Sequence, residues 1–209
     1  MQRYVLQSTL DQLLDEFGAI SSPHQTLKSN FNAAPGHLMP IISKANDQLM
    51  MDFAVWDTTQ PTISIDVASQ KTHMHFTEDP CIVPISGFYI WKETVNDPLP
   101  FFVRIHSQPI LAIAAFLTKK EEFRNSFAVL TQSANVLIQP IEQQMPTILA
   151  SNQYKSWLID ETNNLIQSGF THNRMIPDMT VFRVPDLVND LSNNGPELLQ
   201  PIPKLRDED

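Results

Sequence analysis

Apolar positions alternate with period two through most of the chain and switch to helical spacing in only a few places. The clearest helical stretch is "STLDQLLDEF", residues 8 to 17, with Leu10, Leu13, Leu14 and Phe17 on one face, Ser8 or Thr9 as cap and Gly18 as stop. "NFNAAPGHLMPII" reads as a short strand, a Pro-Gly turn and a second strand through Ile42, followed by a strand in "DQLMMDFAVW". "TISIDVAS" alternates and leads into a loop or short helix. "DPCIVPISGFYIWKE" is the densest apolar stretch. In it Phe88 and Ile90 point one way and Tyr89 and Trp91 the other, which predicts burial on both faces. "PFFVRIHSQPILAIAAFL" and "SFAVLTQSA" are further strands, with "HSQP" expected as a hairpin turn.

Two prolines keep "NVLIQPIEQQMPTIL" from forming a long helix. "ASNQYKSWLI" fits a capped helix carrying Tyr154, Trp157 and Leu158, and "DETNNLIQSGF" a second short one. Beyond "VFRVPDLVND" the sequence turns polar and proline-rich, which predicts a frayed tail. Many strands with few peripheral helices imply an α+β fold on a largely antiparallel sheet or barrel.

Composition narrows the class. With 42% hydrophobic and 18% charged residues over 209 positions, the chain has the profile of an ordinary globular protein with one core. No run approaches the roughly 18 apolar residues of a membrane helix. The start "MQRYVLQSTLDQ" lacks a basic and apolar leader, so a cytoplasmic location and no membrane partner are expected. The net charge of −9, from 14 basic and 23 acidic residues, means that any nucleic-acid contact is a local patch working against the overall field.

Generic catalytic motifs are missing. There is no GxSxG, no phosphate-cradling GxxxxGK[ST] and no GxGxxG. The single cysteine, Cys81, excludes an internal disulfide and reads as a buried, inert thiol. His73 and His75 share a strand face as a metal pair would, but no third ligand accompanies them. His24, His37, His106 and His172 are scattered and read as surface or hydrogen-bonded residues, so neither metal nor cofactor is expected. The aromatics Phe88, Tyr89, Trp91, Phe101 and Phe102 offer rings for base stacking, although their pattern favours core packing.

Four segments in order, "FNAAPGHLMPII", "PCIVPISGFYIWKE", "PFFVRIHSQPILAIAAFL" and "SFAVLTQSANVLIQPIEQQMPTIL" running on to "YKSWL", resemble the SRAP family, the SOS-response-associated peptidase or abasic-site-processing domain. The closing "VNDLSNNGPELLQPI" is similar to that family's C-terminal segment. The resemblance implies one domain over residues 1–202, β-barrel-like with peripheral helices, and a polar tail over 203–209. It also implies a groove for single-stranded DNA. In active members a cysteine exposed by methionine removal traps the abasic-site aldehyde through its amine and thiol. An asparagine, the glutamate of "GFYEW" and the histidine of "IHxRMP" assist the proton transfers.

None of these positions keeps its family residue. Gln2 stands for the cysteine, and a residue of that bulk also blocks methionine removal. Asp66 stands for the asparagine and Ala68 for an arginine in the loosest part of the alignment. "GFYEW" is "GFYIW", so Ile90 replaces the acid with a side chain that neither donates nor accepts a proton. "IHDRMP" is "IEQQMP", with Glu142 for the histidine and Gln144 for the arginine. Asp52 and Phe53 fall where arginine and tryptophan are common.

Three readings follow. The first is a catalytically degenerate member that holds single-stranded DNA, or a ligand associated with abasic sites, without bonding to it. Its expected groove residues are Pro35, Phe53, Trp56, Gln144, Met145 and Pro146, with Arg3 and Arg104 as phosphate contacts. The second is a protein-interaction or regulatory module that kept the fold without DNA binding. The third is a re-sited enzyme using Asp66, Glu142 or the His73/His75 pair.

Overall fold

The computed structural model describes residues 2–65, 78–119, 124–159, 162–168 and 170–203, with the side chains of 171 and 172 left aside. Among the described residues, fourteen strands fall into two sheets, with three short α-helices beside them. The larger sheet holds β4 (Leu38–Ala45), β5 (Gln48–Trp56), β7 (Asp79–Ile85), β10 (Leu111–Thr118) and β11 (Ser126–Ser133) in the neighbour order β11-β10-β7-β4-β5. A parallel pairing of Ser126 and Phe127 with Val55 and Trp56 joins β5 back to β11 and closes this series into a ring. The short strands β2 (Ile20–Ser21), β6 (Thr62–Ser64), β12 (Gln144–Pro146) and β13 (Ile148–Leu149) extend it. The second sheet has the order β14-β9-β8-β1-β3, from β14 (Met179–Arg183), β9 (Leu99–Ile105), β8 (Gly87–Lys92), β1 (Arg3–Leu6) and β3 (Asn30–Ala33). The α+β class with a mostly antiparallel, barrel-like sheet is the one expected from the strand pattern.

The first helix, α1 (Leu10–Phe17), begins and ends where its residues dictate. The Thr9 side chain accepts from the Gln12 backbone N–H, and the Gln12 side chain accepts in return from Thr9. Gly18 closes the helix at φ 58°, a left-handed conformation in which a Cβ is strained. Leu13 and Phe17 bury that helix face, as the apolar spacing requires. The later helices α2 (Tyr154–Ile159) and α3 (Thr162–Ser168) bury Trp157, Leu158 and Ile166.

"DPCIVPISGFYIWKE" is not one strand but two in different sheets. The chain leaves the barrel at Ile85 and enters the second sheet at Gly87. A Cβ on Gly87 would lie 2.6 Å from the Val103 carbonyl oxygen, so the crossing admits only glycine without a backbone shift. Along β8 the alternation works as predicted. Phe88 and Ile90 enter the main core between the sheets, while Tyr89 joins Val5, Phe102, Val184, Val188 and Leu198 in a second cluster on the opposite face.

Two local expectations change. "HSQP" does not make a hairpin, because β9 pairs with β8 and β14 while β10 pairs with β7, β11 and β13. A tight hairpin instead joins β4 to β5 through Asn46 and Asp47, whose φ values of 48° and 62° match a type I′ turn. The polar segment after β14 is also more ordered than its composition predicts. Residues 186–199 form two 3₁₀ turns that bury Val188 and Leu198 against the second sheet. Residues 204–209 lie outside the described part of the chain.

Candidate functional site

Strand β1 sits between β8 and β3, with Arg3 opposite Tyr89 and Tyr4 opposite Phe88 and Ala33. That pairing brings the N-terminal residues beside the "GFYIW" strand. A hollow of about 600 Å³ opens there. Gln2 lines it from just before β1, Arg3 from β1, Ile90 and Trp91 from β8, Pro35 from the turn after β3, and Glu142 from the turn before β12. Three positions read from separate segments, Gln2, Ile90 and Glu142, therefore share one concave surface. Asp66 and Ala68 lie outside the described residues, as do His73 and His75.

The chemistry of this lining is sparse. Ile90 is 2% exposed and contributes an apolar wall. Gln2 offers an amide, and the Glu142 carboxylate accepts from the Gln143 backbone N–H at 2.9 Å. Cys81 is elsewhere, fully buried in β7, with its thiol pKa pushed up by burial and secondarily by Asp79. A thiol so placed is neither ionised nor accessible. Among the described residues no group of three or more His, Cys, Asp or Glu could hold a metal ion.

Arg3 is the cation of the hollow. Its guanidinium donates to Asn32 Oδ1 at 3.1 Å, to the Val188 carbonyl at 2.6 Å and to the Asn189 carbonyl at 3.3 Å. It also lies over the Trp91 ring, 5.8 Å from the centroid. Burial lowers its pKa, opposed by the charges of Tyr89 and Asp190. These hydrogen-bond partners are neutral, and among the described residues Arg3 forms no ion pair, so its charge is not cancelled at contact distance. Trp91 is also fixed through its Nε1, which donates to Asn189 Oδ1 at 2.8 Å. Half-buried and held in place, that ring borders the hollow, whereas the sequence pattern assigned it to the core.

Asn32 is the residue that sequence reasoning missed. It is almost fully buried, and its Nδ2 lies 3.1 Å from each of the carbonyls of Val188, Asp190 and Asn193. With Arg3 it ties the C-terminal segment down beside the hollow and brings Leu191 into its lining. The available signal was a polar residue at a core position of the alternating "NFNA" strand.

The other expected DNA contacts lie apart from this hollow. Trp56 is fully buried, its Nε1 donating to the Pro61 carbonyl at 2.9 Å and its ring packed on Tyr4 and Phe127. Met145 and Pro146 are buried in β12, beside the half-buried Gln144. None of these three buried side chains presents a face to a ligand. Asp52 and Phe53 line a separate hollow with Lys44 and Lys119. Arg104 lines another with Asp15, Glu16 and His106, and its guanidinium sits over the Phe182 ring at 5.4 Å. Of the eight side chains expected along a groove, only Arg3 and Pro35 border the hollow that holds Gln2, Ile90 and Glu142.

Comparison with known proteins converges on one family. Residues 2–191 match the family model described as SOS response associated peptidase (SRAP). The abasic site processing protein YoaM of Bacillus subtilis is 24% identical, with 94% of this chain and 96% of that protein covered. The abasic site processing protein YoqW, found in B. subtilis and in Bacillus phage SPbeta, is 23% identical over 95% of this chain and 98% of its own. A crystal structure of a Bacteroides thetaiotaomicron protein superposes with a TM-score of 0.77 at 15% identity, covering 97% of this chain and all of that one. A phage-related protein of Bordetella bronchiseptica superposes with a TM-score of 0.67 at 13% identity, covering 88% of this chain and 94% of that one. The chain belongs to the SRAP family.

Proposed function

We propose that this SRAP protein binds single-stranded DNA, or a ligand presented at an abasic site, without forming a covalent bond to it. One observation carries the reading: Gln2, Ile90 and Glu142 line a single hollow, and none of these side chains is an amine or a thiol. Capture of an aldehyde needs an unprotonated amine or a thiolate at the carbonyl carbon. A glutamine amide has no comparable nucleophilicity, the only thiol of the chain is buried in β7, and retention of Met1 ahead of Gln2 displaces the α-amine by one residue from its place in active members.

Binding without bonding has material to work with. Arg3 provides positive charge, the fixed Trp91 ring provides a stacking face, and Pro35 and Ile90 provide apolar walls. Base stacking on an aromatic side chain contributes about 1–3 kcal/mol, and Arg3 favours the phosphate of the same nucleotide. Glu142 and the net charge of −9 oppose that attraction. Modest affinity with a shallow salt dependence is the expected balance.

The test is a titration of the full chain with a fluorescent single-stranded oligonucleotide containing one abasic site, at 50 and 200 mM salt. Saturable binding that weakens with salt and is lost in Trp91→Ala supports the reading. No binding at either salt, with the fold intact, would favour an interaction module that has left nucleic acid behind.

A further inference from the structure

A second hollow, of about 490 Å³, opens at the end of β11 where the turn toward β12 meets the segment after α3. Its lining mixes amides with apolar side chains: Gln132 and Asn135 from the β11 end, Ile65, Ile166 and Phe170 as walls, and Arg174. It shares no lining residue with the hollow around Gln2.

Most of its polar groups are occupied. The Asn135 side-chain oxygen accepts from the backbone N–H groups of Leu137 and Ile138, at 3.1 and 3.2 Å. Asn173 accepts from Ile148 N–H at 3.1 Å and donates to the Ile148 carbonyl at 2.9 Å. These bonds fix the walls. Gln132 is different. It is 6% exposed, yet its Nε2 has no acceptor among the described residues. An unpaired buried donor costs about 1–3 kcal/mol, and a leucine would fill the same space without that cost. Phe170 adds a second strained feature: a bulky residue held at φ 43°, where only glycine is at ease. Arg174 is exposed and forms no ion pair among the described residues.

We infer that this hollow is a binding site for a small organic anion with an apolar, planar body and a hydrogen-bond acceptor at the end away from its charge. The acceptor satisfies Gln132 Nε2, the body lies against Ile65, Ile166 and Phe170, and the anionic group meets Arg174. The inference does not depend on DNA binding at the other hollow. A pyrimidine nucleoside monophosphate carries all three features, a ring carbonyl, a flat body and a phosphate, and serves as the probe.

The experiment is calorimetric titration of the full chain with thymidine 5′-monophosphate, thymidine and inorganic phosphate. The expected result is one saturable site for the monophosphate, with thymidine and phosphate each weaker by about tenfold or more. Gln132→Leu and Arg174→Ala should each weaken the monophosphate by about tenfold. Gln132→Leu should also melt no lower than the parent, since it removes an unpaired donor. Arg174→Ala alters only an exposed side chain and decides the matter should the other variant fold poorly. Absence of saturable binding up to about 10 mM, a limit corresponding to less than about 3 kcal/mol, would overturn the inference. So would monophosphate affinity unchanged in both variants.

Discussion

Gln2 and Arg3 are consecutive residues that both line the hollow, and their side chains meet surroundings that differ in kind. Gln2 shares the hollow with Ile90 and Glu142, where few polar groups converge. Arg3 joins Asn32 in a dense anchor that holds the carbonyls of Val188, Asn189, Asp190 and Asn193. The anchor is a near-complete polar network in a buried setting, and networks of that sort are costly to interrupt. The hollow is a shape bounded largely by side chains outside that network. The lesson is that a site's scaffold and its chemistry answer to different constraints even one residue apart.

That contrast predicts unequal responses to substitution. Asn32→Leu leaves several buried carbonyls without a donor and should destabilise the protein by about 3 kcal/mol. Chemical denaturation would read this, and limited proteolysis should show earlier cleavage within residues 186–199. Equal stability to the parent would dissolve the distinction between the two regions. Ile90→Glu comes next, at about 2 kcal/mol near neutral pH, because a carboxylate is placed at a position only 2% exposed. Burial raises such a group's folded-state pKa above its unfolded value of about 4.3. The penalty is therefore small near pH 4 and grows as pH rises through the folded pKa. A penalty independent of pH would mean that the introduced carboxylate reaches water.

Arg3→Gln removes charge and part of the anchor while keeping a hydrogen-bonding side chain, and should cost about 1 kcal/mol. The same variant has a smaller, sharper readout. The His37 pKa is lowered from its ordinary value of 6.5 by burial first and by the Arg3 charge second. Removing that charge should move the His37 titration, followed by NMR, partway back toward 6.5. A depressed histidine pKa means that the unfolded chain takes up protons first on acidification. The His37 contribution to stability is thus complete above the unfolded pKa and is lost as pH falls toward the folded one. Arg3→Gln should flatten this acid-side decline.

Much of this was legible in the sequence, for reasons that differ from element to element. The caps of α1 are local chemistry, and Thr9, Gln12 and Gly18 specify them without reference to the rest of the fold. The two-sided burial of β8 follows from alternation alone. Which strands pair is not local information: "HSQP" lies between two apolar strands in the manner of a hairpin, yet the strands join different sheets. The C-terminal segment looked frayed because its few apolar residues, Val188 and Leu198 among them, matter only through the partners that the second sheet supplies.

At the hollow, Gln2, Ile90 and Glu142 were found by their place in family motifs. Trp56, Met145 and Pro146 were expected along a groove and are buried in the barrel. An aromatic or a methionine carries no mark in the sequence of which face it will occupy. Asn32 is legible in retrospect, as a polar side chain at an inward position whose cost demands partners elsewhere in the chain.

The most direct test of the proposal that this protein holds DNA without bonding to it is a denaturing gel. The full chain is incubated with single-stranded DNA bearing an abasic site, at concentrations where titration shows the two associated. The account predicts protein and DNA running entirely apart. A slower band that carries both and survives denaturation would contradict it.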